Sequence, residues 1–165
     1  MKKIHFDRNF WVKFFSTGFF ISFLVPLVPG VYGVFLGISV ALILNSLPVI
    51  VKIIISLVLI VVSIPLCTQA EKILNQEKDP QKVVIDEVIG IQFAAIWFDL
   101  LRVIPVFSFN IPLWLLTLLI FGFFDAVEIF PIKRIEMLDG GWGIVLDDLM
   151  AGVYTIITIS VIFNF

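Results

Sequence analysis

The sequence predicts an all-α integral membrane protein, a small bundle of about five transmembrane helices plus an N-terminal interfacial or re-entrant helix. Three observations lead there. Of the 165 residues, 61% are hydrophobic, and the mean hydropathy is +1.14. Charged residues make up 15%, against roughly 25% in ordinary soluble domains. A soluble chain this small has too little interior to hide so much apolar surface. The apolar residues also fall in long runs, several reaching the roughly 20 residues that a helical span needs. Residues 1–165 therefore read as one membrane-embedded domain.

The apolar runs are 10–28, 31–46, 48–66, 84–106, 111–126 and 143–163. In the first, Pro26-Leu-Val-Pro29-Gly30 breaks any helix before it can cross. It is expected to lie in the interface or to re-enter. The basic start MKKIHFDRNFW is followed by no small-residue cleavage site, so it is expected to be retained. Runs 31–46 and 48–66 form a hairpin turning at Asn45-Ser46-Leu47-Pro48. Thr68–Lys82 is polar and closes with Asp79-Pro80. Run 84–106 then goes out, 111–126 returns, and 143–163 goes out again. Runs 31–46 and 111–126 are short and need tilt or local thinning. Between the last two, Glu128–Gly141 carries Pro131 and Gly140-Gly141 and reads as irregular backbone.

Cations set the orientation. Lys2, Lys3, Arg8 and Lys13 favour a cytoplasmic N-terminus. Lys72, Lys78 and Lys82 favour the same side for the first polar stretch, and Lys133 and Arg134 for the second. That parity places Pro29-Gly30, Asp86-Glu87, Asp125 and Asp147-Asp148 on the cytoplasmic face. Lys52, Asp99 and Arg102 fall toward the other, with Asp99 spaced to partner Arg102.

Several function classes drop out. A net charge of −2 with no basic face argues against nucleic-acid binding. With Cys67 as the one cysteine, no disulfide forms within the chain. His5, the one histidine, lies in the charged N-terminal tail. A Cys₂His₂ zinc site, a Cys-His pair and a Ser-His-Asp triad are thereby disfavoured.

Five carboxylates stand out against this background: Asp86, Glu87, Asp125, Asp147 and Asp148. Ionisable groups at the ends of apolar spans are costly and mark function by default. Acids at a helix start complement its dipole, which accounts for one acid at each start but hardly for two adjacent ones. Asp125 falls near a helix C-terminus, where the dipole disfavours it. Five such groups repel one another unless a cation or protons intervene. Oxygen donors without His or Cys suit a hard cation such as Mg²⁺. A proton or ion pathway and structural ion pairing remain open on the residues alone. Gly140-Gly141-Trp142-Gly143 precedes the last acid pair, where small residues let backbone approach a phosphate or metal; a plain flexible turn is the alternative. Gly90 and Gly152 follow Asp86 and Asp148 by four residues and allow close helix contact behind each acid pair.

Three blocks together resemble the phosphatidylglycerophosphatase A family. Pro26-Leu-Val-Pro29-Gly30-Val-Tyr-Gly33 is similar to its P-x-x-P-G-T-x-G. Val84-Ile-Asp86-Glu87-Val-Ile-Gly90 is similar to its V-x-D-E-x-x-G. The third runs from Phe121-x-x-x-Asp125 through Pro131-Ile-Lys133 to Gly140-Gly141-Trp-Gly143-Ile-Val-Leu-Asp147-Asp148-x-x-Ala151-Gly152.

The resemblance implies a multi-pass enzyme of the bacterial cytoplasmic (inner) membrane with a cytoplasmic active face. It would use Mg²⁺ to hydrolyse the terminal phosphate monoester of phosphatidylglycerophosphate, a membrane phospholipid, to phosphatidylglycerol. Asp86, Glu87, Asp125, Asp147 and Asp148 would be its catalytic and metal-binding acids. Pro29, Gly30, Lys133, Arg134, Gly140, Gly141 and Gly143 would serve phosphate or substrate binding. Metal-activated water is favoured over an aspartyl-phosphate route. Three positions depart from the family pattern: Val31 stands for its Thr, Gly122 for an Arg, and Glu128 for a Lys. Arg and Lys there would hold phosphate oxygens, so a second reading is a catalytically altered or inactive paralogue that binds a phospholipid or membrane partner. A second copy of the chain is a further conceivable partner.

Overall fold

Asp7 opens the first helix, its carboxylate accepting the Phe10 N–H at 2.9 Å. The structure, a computed structural model, describes residues 7–24, 29–74, 81–106 and 108–164. Lys2, Lys3, His5, Pro26, Lys78 and the Asp79-Pro80 corner lie outside the described residues. Helix α1, Arg8–Ser16, is about 14 Å long at 1.5 Å per residue, too short to cross a bilayer. The chain then reverses through Gly18, Phe19 and Phe20, all at positive φ, into a 3₁₀ turn at Ile21–Phe23. This reversal holds the approach to a later helix. The Ser16 carbonyl accepts the Val84 N–H at 2.8 Å, and Ser22 Oγ donates to the Lys82 carbonyl at 2.8 Å.

Helices α2, Pro29–Leu44, and α3, Val49–Ile73, meet at the Asn45–Pro48 turn, where the sequence places it. Helix α3 is apolar on every side yet mostly exposed: 17% of its most apolar 18-residue window is buried inside the protein. A helix apolar all round that is not covered by protein suits lipid. Helix α7, Gly141–Phe163, is the second helix long and apolar enough to cross a membrane among the described residues. Shorter apolar helices are α2 and α5, Leu113–Val127, at about 24 and 22 Å.

The expected span over 84–106 is not there. Helix α4 covers Ile85–Ala95 only, and the chain continues into an antiparallel hairpin, β1 Val103–Val106 and β2 Phe109–Pro112. The described residues are therefore 72% helical but not all-α. Local chemistry accounts for the break. Pro105 lacks an N–H and disfavours helix at the residue before it, while Val103, Ile104 and Val106 favour strand. The departing chain is captured by Asn45, which accepts the Leu100 N–H at 3.0 Å and donates to Asp99 Oδ1 at 3.1 Å. The Asp99 carboxylate thus faces Asn45 and the Leu101 N–H.

Short as it is, α4 is the centre of the bundle, packed by α2, α3, α5 and α7. Seven consecutive residues from Val88 are all buried except Phe93. Ile91 and Ala95 join Ile38 of α2, Phe121 of α5 and Ala151 and Ile159 of α7 in the main core. Glycines set these distances. A Cβ at Gly37 would overlap Ile91 Cγ2 and stand 2.6 Å from the Val88 carbonyl oxygen. At the start of α7, a Cβ on Gly141 would overlap the Ile64 carbonyl oxygen of α3, and backbone there cannot yield as a flexible side chain can. Gly141→Ala is expected to destabilise by about 1–3 kcal/mol or more, the range for overpacking; a lowered thermal midpoint in detergent would report it.

Candidate active site

The acids converge because a buried helix N-terminus meets the first turns of a long one. Asp86 and Glu87 sit in the first turn of α4, and Asp148 lies in the second turn of α7. One carboxylate oxygen from each of Asp86, Glu87 and Asp148 falls within 4.8 Å of the others. Asp86 is 4% exposed and Asp148 5%. Asp125, near the end of α5, is side chain to side chain with Asp148. Asp147 stands slightly apart: its Oδ1 accepts the Asp148 N–H at 2.8 Å. Four of the five acids named by the sequence thus form one cluster, with the fifth bracing its neighbour.

Glycines bring the helices close enough. A Cβ at Gly30 would stand 2.7 Å from Glu87 Oε1, and one at Gly33 would be 3.1 Å from Glu87 Oε2. Glu87 therefore lies against bare α2 backbone. A Cβ at Gly90 would come within 2.8 Å of Asp148 Cβ, and one at Gly152 within 2.9 Å of the Gly90 carbonyl oxygen. Gly90 and Gly152 do form the close contact behind the acids that their spacing indicates. Gly33, quoted from the sequence only as the end of the first block and given no role there, does comparable work; its signal was the Gly30-x-x-Gly33-x-x-x-Gly37 spacing on α2.

Other expected residues sit differently. Gly140 initiates α7 at φ +63°. The Gly141 N–H donates to Thr68 Oγ1 at 2.8 Å, and the Gly143 N–H to the Gly140 carbonyl at 3.2 Å. Both N–H groups are thus engaged within the fold, and a Cβ on Gly143 would meet the Glu136 and Leu138 carbonyl oxygens at 2.7 and 2.6 Å. Thr68, which anchors this corner, gave no signal beyond a polar residue ending a span. Pro29 is buried at the start of α2. Lys133 and Arg134 are exposed on the short helix α6, Ile132–Ile135, where the Arg134 guanidinium lies 5.0 Å from the Phe130 ring centre.

Comparison with known proteins now decides the family. The model of the family described as phosphatidylglycerophosphatase A matches residues 14–163. The chain belongs to the phosphatidylglycerophosphatase A family. A Haemophilus influenzae protein named phosphatidylglycerophosphatase A is 35% identical over 86 residues, 51% of this chain and 47% of that protein. A Bacteroides thetaiotaomicron protein provisionally named a phosphatidylinositol-3-phosphatase is 34% identical over 84 residues, 51% of this chain and 49% of that one. The matched part spans about half the length of these curated relatives. No solved structure matches the chain.

A metal ion fits the cluster on the structure's own terms. Asp86 Oδ1 and Glu87 Oε2 are buried with no hydrogen-bond partner. Buried carboxylate oxygens in that state call for a cation or a proton. All the donors are hard oxygens, which suit Mg²⁺, Mn²⁺ or Ca²⁺. The family departures have a place in this geometry too. Val31 and Gly122 line one cavity beside Asp125, whereas Glu128 ends α5 at positive φ and is exposed.

Proposed function

We propose that this protein is a Mg²⁺-dependent lipid phosphatase of the bacterial cytoplasmic membrane, removing the terminal phosphate monoester of phosphatidylglycerophosphate. The observation that carries the reading is the convergence of Asp86, Glu87 and Asp148 within 4.8 Å, two of them with partnerless oxygens, in a chain of this family. Membrane embedding in several passes is supported by the exposed apolar flanks of α3 and α7. An active face toward the cytoplasm is supported by the Lys and Arg distribution alone.

Asp86, Glu87 and Asp148 would hold the ion, which when bound supplies charge to phosphoryl oxygens and acidifies a coordinated water. Asp125, less buried than Asp148 and in contact with it, would take up a proton from water in the site. Asp147 holds the backbone at Asp148 through the Asp148 N–H. Lys133 and Arg134, exposed on α6, would supply cations for the substrate phosphate in place of those that the family pattern has at Gly122 and Glu128.

The Bacteroides relative's name and the loss of family cations at 122 and 128 favour a second reading in which the head group differs. Purified protein given Mg²⁺ and either phosphatidylglycerophosphate or phosphatidylinositol 3-phosphate separates the two. Release at least tenfold faster from the first is the expected result. The reverse preference transfers the reading to phosphoinositides, and no release from either, by folded protein, makes the chain an inactive relative.

A further inference from the structure

A cavity of about 270 Å³ opens between α2 and α5. On α2 it is lined by Val31 and Phe35, and on α5 by Leu118, Leu119 and Gly122. Asp125 stands in its wall as the polar member. Val31, Phe35 and Leu119 are each more than half exposed on the outer surface. The cavity is thus open along an apolar flank at one end and reaches the acid cluster, through Asp125, at the other. Its size is just under the roughly 300–1,000 Å³ of pockets that enclose a whole small molecule, and suits a segment of one. Two of the chain's departures from the family pattern shape it. Gly122 leaves open space, with nothing within 4 Å of where a Cβ would be, and Val31 presents methyl groups where the pattern has a hydroxyl.

We propose that this groove seats the first part of an acyl chain of the lipid substrate, with the head group running past Asp125 toward the acid cluster, and that Val31 and Gly122 determine which lipids fit. The inference rests on the lipid-phosphatase reading of the acid cluster. Because bilayer hydrocarbon is as apolar as the groove, the seat gives position rather than affinity. Position is what a reaction at buried carboxylates requires, since a displacement of about 1 Å can cost roughly a hundredfold. A guanidinium at 122 would fill the groove and set a charge beside Asp125. With Gly122, the groove accepts hydrocarbon there instead.

The test uses the full-length protein in detergent micelles with Mg²⁺, as wild type and as Gly122→Leu. Phosphate release is measured from dioleoyl and dihexanoyl phosphatidylglycerophosphate. In parallel, a phosphatidic acid with a diazirine near the carbonyl end of one acyl chain is photolysed and the labelled peptides are mapped. Gly122→Leu is expected to lower the dioleoyl-to-dihexanoyl ratio of kcat/KM at least tenfold, and wild-type label is expected in 31–35 and 118–122 and to vanish in the variant. An unchanged ratio, or label that falls elsewhere or survives the substitution, overturns the inference. If neither lipid is hydrolysed by wild type but the label maps to the groove and is lost in Gly122→Leu, the groove stands and the phosphatase reading fails. Circular dichroism and the thermal midpoint of Gly122→Leu establish folding, and Gly122→Ala, with a single methyl in open space, should show the same change in smaller degree.

Discussion

Asp148→Asn is expected to lower phosphate release by about a hundredfold or more, since losing even a group that supports a metal ligand costs about 10–100-fold. The substitution keeps the shape of the side chain and removes its charge. Asp148 is almost wholly buried between α4 and α7, with its Cβ against Gly90, and it contributes an oxygen to the three-acid group. Stability should move the other way. In protein without metal, Asp148 faces the charges of Asp86, Asp125 and Asp147, so a neutral amide removes repulsion. The metal-free variant should unfold at the wild-type temperature or above it. Asp147→Asn is the control: its Oδ1 serves the Asp148 N–H, which an amide oxygen can also do, so its activity should fall far less. Equal losses in the two variants would show that Asp147 also holds the ion. Full activity in Asp148→Asn would remove the acid cluster from the chemistry altogether.

Stripping divalent ions with EDTA should abolish phosphate release, and added Mg²⁺ should restore it. A readout independent of turnover follows from mass action. An ion that binds the folded protein alone stabilises it by about 2.7 kcal/mol at a hundred times its dissociation constant. The thermal midpoint should therefore rise with Mg²⁺ at constant ionic strength, and rise less in Asp86→Asn, which lacks one of the partnerless oxygens. The rise should not be reproduced by Na⁺, which screens exposed charge without bridging buried carboxylates. Activity that persists in EDTA, with a midpoint indifferent to Mg²⁺, would leave Asp86, Glu87 and Asp148 as a structural cluster.

Local pattern was enough to find the acids. Asp86-Glu87 and Asp147-Asp148 are conspicuous because charge is rare in this chain, and the blocks around them carry a family's spacing. The same pattern misled over 84–106. A run of apolar residues reads alike as a buried helix or as a helix followed by strands, and the outcome depended on Pro105 and on Asn45, sixty positions upstream, capturing Leu100 and Asp99. The glycines before α7 show the same divide. From the sequence they suited an anion or a plain flexible turn; in the fold, the N–H groups of Gly141 and Gly143 meet Thr68 and Gly140.

By itself the sequence determined the apolar class of the protein, the positions of its conspicuous acids and its family, because composition and motif spacing are properties of the chain alone. Tertiary structure decided that α4 is the short buried centre, that four of the five acids meet while Asp147 braces Asp148, and that Val31 and Gly122 open into one groove at Asp125. Those facts depend on how closely helices approach one another. That distance is fixed where a missing Cβ on one helix meets backbone or carboxylate on another, as at Gly30, Gly37, Gly90 and Gly141, a pairing that no single stretch of sequence contains.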